Sequence, residues 1–175
     1  MENWAGEAEV MKTYARHHKT GEPIPQELLD RIKKASEFNQ GFVTVEYESA
    51  CFLDMDWATL TDAKERDAET FENASMKKIG MIPEIVVRYR TPYFQHIFSG
   101  GYSAGYYSYL WSEVLDADAF EAFKETSLFD TATAKRFRDH ILSRGNTEEP
   151  MDLYKAFRGR EPRVEPLLKR RGLLK

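Results

Sequence analysis

The sequence predicts an all-α fold with at most one short extended strand. Along most of the chain, apolar residues recur at intervals of three and four, which is the repeat of one helix face. Prolines and capping residues stand where several of these runs begin, and glycines stand where they end. With 175 residues and a hydrophobic content of 42%, the chain is long enough to bury a sizeable core. We therefore expect one helical segment over residues 1–175.

Three helices are predicted in the first third of the chain. Residues 1–18 carry apolar side chains at helical spacing, and Pro25 is suited to the first turn of a helix over 26–39. The run 42–60 has strand-like composition at its start but helical spacing beyond it, so we favour a helix throughout. The buried stripe of the second helix is expected to be Leu28, Leu29, Ile32, Ala35 and Phe38.

Further helices are predicted along the rest of the chain. Thr61-Asp62 can cap a helix over 63–79, which Pro83 ends. Residues 84–90 are rich in β-branched side chains and are the one strand candidate, as an extended link rather than part of a large sheet. The remaining helices are expected over 103–125, over 131–142, over 151–157 and from 164 onward.

Charge and composition exclude several classes of protein. The formal net charge is −4, so no broad basic surface attracts nucleic acid. No apolar run approaches the roughly 20 residues that a membrane span needs. The single cysteine, Cys51, excludes an internal disulfide and a cysteine-based zinc cluster. We expect a cytoplasmic protein without nucleic-acid or membrane partners, although an export signal on a missing N-terminus would change that location.

Side chains suited to chemistry are concentrated in residues 92–111. This stretch places His96 before a glycine pair at 100–101, and three tyrosines at helical spacing follow: Tyr102, Tyr106 and Tyr109. Phenols at this interval share one helix face, although core tyrosines with satisfied hydroxyls produce the same interval. The glycine pair supplies backbone freedom that lets the imidazole approach the tyrosines. The pattern predicts a polar wall beside a cleft.

One motif suggests a serine hydrolase as a remote alternative. The string Gly101-x-Ser103-x-Gly105 matches the nucleophile elbow Gly-x-Ser-x-Gly. The possible partners Asp116, Asp118 and His140 follow in the order of an α/β-hydrolase. An elbow requires a buried strand before the serine and a parallel sheet around it, and the helical pattern of this chain predicts neither.

The string from His96 to Trp111, continued to Phe120, closely resembles the C-terminal part of the thimet oligopeptidase and peptidyl-dipeptidase Dcp family of zinc metallopeptidases. Glu2-Asn3-Trp4 and the segments 34–56 and 157–162 are also similar to that family, so the resemblance covers nearly the whole chain. It implies the helical C-terminal segment of a zincin-type catalytic domain. It also implies hydrolysis of short peptides, with release of C-terminal dipeptides in the peptidyl-dipeptidase branch.

The same resemblance implies roles for the residues of the central stretch. A zinc-activated water attacks the scissile carbonyl, and the phenol of Tyr109 donates a hydrogen bond to the developing oxyanion. His96 is the second catalytic candidate, because its imidazole can hold the substrate backbone or assist the oxyanion. The substrate-binding candidates are Tyr102, Tyr106, Gly100, Gly101 and Gly105, whose glycines let the loop close over the peptide.

The family's zinc ligands would lie before Met1, since they belong to a His-Glu-x-x-His motif and a later glutamate that this sequence lacks. The resemblance therefore implies zinc in the full-length enzyme, no metal ligand in this chain, and no activity for the chain alone. The expected partners are short peptides and the missing N-terminal portion of the enzyme, with a dimer favoured by exposed apolar surface. The competing class is a non-catalytic helical module that binds peptides or proteins.

Overall fold

A computed structural model describes residues 2–174, which form helices joined by turns. Within this range the only β-type pairing is an isolated antiparallel bridge between Arg16 and Pro23. The all-α fold predicted from the sequence is therefore confirmed. None of the described helices combines the length and the apolar character that crossing a membrane would require.

The α-helices of the described range are numbered in chain order. The first five are α1 (Glu2–Gly6), α2 (Ala8–Tyr14), α3 (Gln26–Ser36), α4 (Gln40–Ala58) and α5 (Ala68–Lys78). A 3₁₀ turn at Thr91–Tyr93 precedes α6 (Gln95–Phe98) and α7 (Ser108–Lys124). The last three are α8 (Thr131–Phe137), which a π-helical turn at Arg138–Leu142 continues, α9 (Pro150–Arg158) and α10 (Glu165–Arg170).

The chain packs as two compact units. The central unit comprises residues 39–112, and the terminal unit comprises the residues on either side of that range. All side chains predicted to form the site belong to the central unit. Its core is built from the buried residues Ala50, Leu53, Val87, Phe94, Ile97 and Tyr106.

Aromatic packing and one buried carboxylate hold the terminal unit together. Trp4 packs edge-on against Phe120 with ring centroids 4.6 Å apart. The fully buried Asp118 accepts a hydrogen bond from the Tyr154 hydroxyl at 2.6 Å. Its two oxygens also accept hydrogen bonds from the guanidinium of Arg160 at 2.9 and 2.6 Å. These partners offset the cost of removing the carboxylate from water.

Local sequence signals account well for several helices. α4 begins after Asn39, whose φ of 58° lies in the left-handed region that asparagine tolerates. α9 has Pro150 in its first turn and ends at Gly159, which takes the left-handed C-terminal position with a φ of 79°. The helices predicted over 42–60, over 131–142, over 151–157 and from 164 onward are confirmed, with the end of the second in π-helical form.

The helix predicted over residues 1–18 is wrong in its extent. It is broken at Glu7, whose backbone is extended with a ψ of 135°, and α2 ends at Tyr14. The break follows Gly6, and glycine is a weak helix former. The indole N–H of Trp4 donates to the carbonyl of Leu128 at 2.7 Å, which anchors α1 independently of α2.

α3 is shorter than the predicted helix over 26–39, and its apolar stripe is largely unburied. Leu29 alone of the five residues expected on the inner face is buried within the described structure. Leu28 and Ile32 are exposed, and Phe38, beyond the helix end, is 80% exposed. Helical spacing identifies an apolar face, but burial requires another element to cover it, and no described element covers this one.

The cap predicted for the next helix is also wrong. α5 begins at Ala68, because the Asp67 side chain accepts a hydrogen bond from the Thr70 amide at 2.8 Å. Asp62, predicted with Thr61 as the cap, instead accepts a hydrogen bond from the Arg66 side chain at 2.6 Å. Asp62 and Asp67 are both residue types that cap helices, so the sequence alone could not choose between them. Asp62 is used instead in an ion pair with Arg66.

Residues 84–90 do not form the predicted strand. Ile85 and Val87 are buried and Val86 between them is exposed, which is the alternation that suggested a strand. A strand also needs a partner for its backbone groups, and nothing in the range 2–174 pairs with this segment as a strand. The segment instead passes through turns while its alternate side chains fill the central core.

Candidate functional site

The three tyrosines of the central stretch do not share one helix face. α7 begins only at Ser108, so Tyr109 is helical, whereas residues 103–107 form turns. Ala104 has a φ of 55°, and this left-handed backbone cannot continue a right-handed helix. The helix predicted from 103 is therefore wrong at its start, while its end near 125 is close to the observed Lys124.

The turn nevertheless brings the predicted side chains together. The imidazole of His96 lies 6.1 Å from the Tyr102 ring and 5.5 Å from the Tyr106 ring, between centroids. The Tyr109 ring lies 5.4 Å from Tyr106 and is stacked on Tyr102 at 5.1 Å. These four residues form one contiguous group, which we call the His–Tyr cluster.

The members of the His–Tyr cluster differ in their access to solvent. Tyr109 is 40% exposed, and His96 and Tyr102 are partly exposed. Tyr106 is only 2% exposed and belongs to the central core. Tyr109 can therefore meet a ligand directly, whereas Tyr106 supports the other rings from behind. The predicted contact of Tyr106 with substrate stays a prediction, and this conformation offers it no open face.

Aromatic neighbours hold the histidine in place. His96 lies in the single turn of α6, and its ring contacts that of Tyr89 at 4.8 Å and that of Phe94 at 6.2 Å. Phe94 is fully buried and is stacked on Tyr89 at 5.1 Å. Because these rings pack on one another and on the core, the imidazole has little freedom to turn away from the tyrosines.

Close packing at Gly100 and a left-handed backbone at Gly101 account for the two glycines between His96 and Tyr102. A Cβ atom on Gly100 would lie 2.9 Å from both Cα and the carbonyl oxygen of His96. The amide of Tyr102 donates to that same carbonyl at 3.0 Å, which closes the loop. Gly101 has a φ of 81°, which favours glycine, whereas a Cβ on Gly105 would make only ordinary contacts. The predicted role of these glycines in closing over a peptide stays a prediction.

Sequence reasoning missed the residue that anchors the turn, Asp54 of α4. Its carboxylate is 1% exposed, and it accepts hydrogen bonds from the amides of Ala104 at 2.8 Å and Tyr106 at 2.9 Å. Tyr47, on the same helix, donates its hydroxyl hydrogen to the Tyr106 carbonyl at 3.0 Å. The available signal was an acidic residue inside an apolar helical run. This signal does not reveal that its hydrogen-bond partner is Ala104, fifty residues away.

The phenols of the site act as hydrogen-bond donors at neutral pH. Burial raises the pKa of Tyr106 and that of Tyr47 well above the ordinary value for tyrosine. A hydrogen bond with Tyr102 raises the pKa of Tyr109. A positive charge lies nearby, since the guanidinium of Arg88 is 5.8 Å from the centre of the Tyr47 ring. Of these phenols, the exposed Tyr109 can therefore stabilise negative charge on a ligand oxygen, and while protonated it cannot serve as a base.

A cleft of about 460 Å³ lies elsewhere in the central unit, between α5 and residues 80–90. None of its lining residues belongs to the His–Tyr cluster. The cluster meets solvent at Tyr109 and, to a smaller extent, at His96 and Tyr102.

The described residues do not provide a metal centre. Between positions 2 and 174, no three histidine, cysteine, aspartate or glutamate side chains lie together in a group that suits an ion. Cys51 is partly buried, with its sulfur 3.6 Å from the Tyr47 carbonyl. Burial raises the pKa of its thiol to about 11, so it is a poor metal ligand and a poor nucleophile.

The serine hydrolase alternative lacks its structural context. Ser103 lies in a turn without a strand before it, and the described chain forms no parallel sheet around it. Asp118, one of its possible acid partners, is already bound by Arg160 and Tyr154. The loop backbone requires only the first glycine of the Gly-x-Ser-x-Gly match, Gly101, and no nucleophile elbow forms among the described residues.

Comparison with known proteins identifies relatives over almost the whole chain. The profile described as peptidase family M3 matches residues 1–173. The dipeptidyl carboxypeptidase of Salmonella typhimurium is 42% identical over 174 residues, which is 98% of this chain and 26% of that protein. Oligopeptidase A of Haemophilus influenzae is 43% identical over 175 residues, again 26% of its length. The chain spans about a quarter of the length of the curated relatives it matches.

Proposed function

The chain belongs to peptidase family M3, and from this premise we propose that the His–Tyr cluster binds a short peptide and stabilises the charge that develops during its hydrolysis. The observation that carries the proposal is the juxtaposition of an exposed phenol, Tyr109, with the partly exposed Tyr102 and His96. Relatives in the family are named as peptidases, both dipeptidyl carboxypeptidases and oligopeptidases. Nearly equal identity to the two does not favour either kind of cleavage.

Tyr109 is the proposed oxyanion donor. Its hydroxyl keeps its proton at neutral pH, and its ring is accessible at the edge of the cluster. A protonated phenol can donate a hydrogen bond to the oxygen of a tetrahedral intermediate, and removing one such donor typically lowers the rate by about 10²–10³. Tyr102 is stacked on Tyr109 and His96 is a neighbour of Tyr102, and we propose that both bind the carbonyl or amide groups of the peptide backbone.

The resemblance also implies zinc, and the described residues do not fit a zinc site. We therefore propose that residues outside this sequence hold the metal, and that the 175-residue chain binds peptides without cleaving them. A His-Glu-x-x-His motif in the reading frame upstream of Met1 would support this arrangement. A cytoplasmic location, a missing N-terminal portion as partner and a dimer through exposed apolar side chains stay predictions.

Peptide titration of the purified chain tests the proposal. We expect a library of fluorescently labelled pentapeptides to bind, and His96→Gln to weaken binding about five- to tenfold through loss of one hydrogen-bonding group. His18→Gln, which changes an exposed histidine of the terminal unit, is the matched control and should leave affinity unchanged. Absence of binding, or equal effects of the two variants, would refute the proposed site.

Metal analysis and product analysis of the same preparation complete the test. We expect no stoichiometric zinc and no cleaved peptide from the chain alone. Stoichiometric zinc with turnover would show that the metal ligands lie within the chain after all. Peptide binding by the chain, together with an upstream reading frame that lacks metal ligands, would favour the non-catalytic binding module instead.

A further inference from the structure

We propose that Asp54 is a positioning residue for the peptide site, and that it sets the places of the Tyr102 and Tyr109 hydroxyls through the backbone of Ala104 and Tyr106. The inference rests on the proposed function for its consequence in peptide binding. Its geometric content, however, can be tested without any peptide.

The first step is the unusual environment of the Asp54 carboxylate. It is almost completely buried, and none of the ion pairs between described residues includes it. Its two oxygens accept hydrogen bonds from the amides of Ala104 and Tyr106. Burying a carboxylate without a cation is costly, so a side chain that stays there depends on these two bonds. The two hydrogen bonds therefore stabilise both the buried carboxylate of Asp54 and the turn at Ala104.

The second step concerns what the turn does to the tyrosines. In a continuous helix, residues seven apart are separated by roughly 10 Å along the axis. The rings of Tyr102 and Tyr109 are seven positions apart, yet they stack at 5.1 Å. This proximity depends on the break in helical geometry at Ala104, whose φ of 55° is strained for a residue with a Cβ atom. Asp54 binds the amide of that strained residue and thereby stabilises the break.

The third step is that two residues of α4, Asp54 and Tyr47, bind the backbone of Tyr106 on both sides of its Cα atom. Asp54 accepts from the Tyr106 amide, while the Tyr47 hydroxyl donates to the Tyr106 carbonyl at 3.0 Å. The Tyr47 ring is also stacked on the Tyr106 ring at 5.4 Å. Both anchoring residues belong to α4, so one rigid helix holds the turn in a fixed place. Tyr109 lies in the first turn of α7, which begins at Ser108 soon after this segment.

Asp54→Asn tests the inference with almost no change in shape. An amide side chain retains one acceptor oxygen but directs N–H donors toward the second backbone amide, so one of the two hydrogen bonds is lost. Glu72→Gln is the matched control. Glu72 is also buried in the central unit and accepts a hydrogen bond from a backbone amide at 2.8 Å, but that amide is Thr91, outside the tyrosine turn.

The readouts are amide hydrogen exchange and ring-to-ring nuclear Overhauser effects in the isotope-labelled 175-residue chain. In Asp54→Asn we expect the amide hydrogens of Ala104 and Tyr106 to exchange at least tenfold faster. We also expect the nuclear Overhauser effect between the Tyr102 and Tyr109 rings to disappear. Glu72→Gln should preserve both signals, even where it lowers overall stability. Preserved ring contact in Asp54→Asn, or its equal loss in Glu72→Gln, would overturn the inference.

The unmodified chain decides the matter if Asp54→Asn does not fold. Its Ala104 and Tyr106 amides should exchange at least tenfold more slowly than the amide of the exposed Ser103, and equal rates would overturn the inference. Pentapeptide titration of the same samples separates the two proposals. A chain with protected amides and stacked rings that binds no peptide refutes the proposed function and leaves the positioning role of Asp54 intact.

Discussion

The rings of Tyr102 and Tyr109 are stacked with their centroids 5.1 Å apart, and a hydrogen bond between the two side chains raises the pKa of Tyr109. The two phenols are therefore interacting neighbours at the exposed edge of the cluster. A ligand that takes the Tyr109 hydroxyl hydrogen must compete with Tyr102 for it. Substitutions of Tyr102 and Tyr109 therefore test the proposed binding site directly.

Tyr102→Phe should lower the pKa of Tyr109 toward the ordinary tyrosine value of about 10, because the hydrogen bond with Tyr102 is the largest cause of the upward shift. The titration can be followed by nuclear magnetic resonance of chains labelled at the tyrosine Cζ carbon. Tyr107→Phe, at an exposed neighbour outside the cluster, should leave the titration unchanged. An unaltered Tyr109 pKa in Tyr102→Phe would mean that the two hydroxyls do not interact in solution.

Tyr109→Phe should impair catalysis in any active polypeptide that contains this chain. An oxyanion donor acts mainly in the transition state, so we expect kcat to fall by about 10²–10³ with little change in KM. Steady-state hydrolysis of a quenched fluorescent peptide provides the measurement, with Tyr107→Phe as the control. A raised KM with unchanged kcat would instead assign Tyr109 to binding of the ground state.

Gly100→Ala should destabilise the protein by about 1–3 kcal/mol, because the new methyl group would lie 2.9 Å from backbone atoms of His96 and force the loop to move. Gly41→Ala is the opposite case. Gly41 lies within α4 with no neighbouring atom near its Cβ position, so alanine should stabilise the helix by roughly 0.5–1 kcal/mol. Urea denaturation followed by circular dichroism measures both changes, and equal effects would contradict the close approach at Gly100.

Asp118→Asn should lower the free energy of unfolding by about 3 kcal/mol at neutral pH, because it leaves the Arg160 charge without its buried partner. Burial by itself raises the pKa of Asp118, but hydrogen bonds from Arg160 and Tyr154 outweigh it and hold this pKa below its ordinary value. A depressed pKa in the folded state means that the carboxylate stabilises the fold above about pH 4 and loses this effect as the pH falls further.

The difference in stability between the parent chain and Asp118→Asn should therefore shrink as the pH is lowered from about 4 toward the pKa of folded Asp118. Urea midpoints over a pH series measure this difference directly. Asp116→Asn removes the exposed pair with Arg170, at 2.8 Å, and should cost less than about 1 kcal/mol at every pH. A difference for Asp118→Asn that does not depend on pH would contradict the charged state of this residue.

The sequence predicted best those elements whose signals are local. α4 and α9 carry helical spacing together with nearby turn residues, and Gly159 stops α9 because it takes a left-handed backbone. The members of the His–Tyr cluster were also found by their types, since a histidine and closely spaced tyrosines stand out in the 92–111 stretch. Each of these inferences needed information from only a few neighbouring positions.

Other features depended on contacts between distant parts of the chain. The turn at Ala104 is held by Asp54, and no property of the local sequence reveals that hydrogen bond. Leu28 and Ile32 of α3, and Phe38 beyond its end, continue an apolar pattern, yet all three side chains are exposed in the described structure. The sequence therefore pointed to side chains that the structure brings together, but it placed the tyrosines on one helix face when a turn brings them together.

The protected thiol of Cys51 has a practical consequence for work on this protein. With a pKa raised to about 11 by burial, only about one thiol in ten thousand is ionised at neutral pH, so maleimide and iodoacetamide reagents should react with it slowly. Ser103→Cys would then add a single fast-reacting position on the surface of the tyrosine turn. A fluorophore attached there would report ligand arrival at the cluster without first removing the native cysteine.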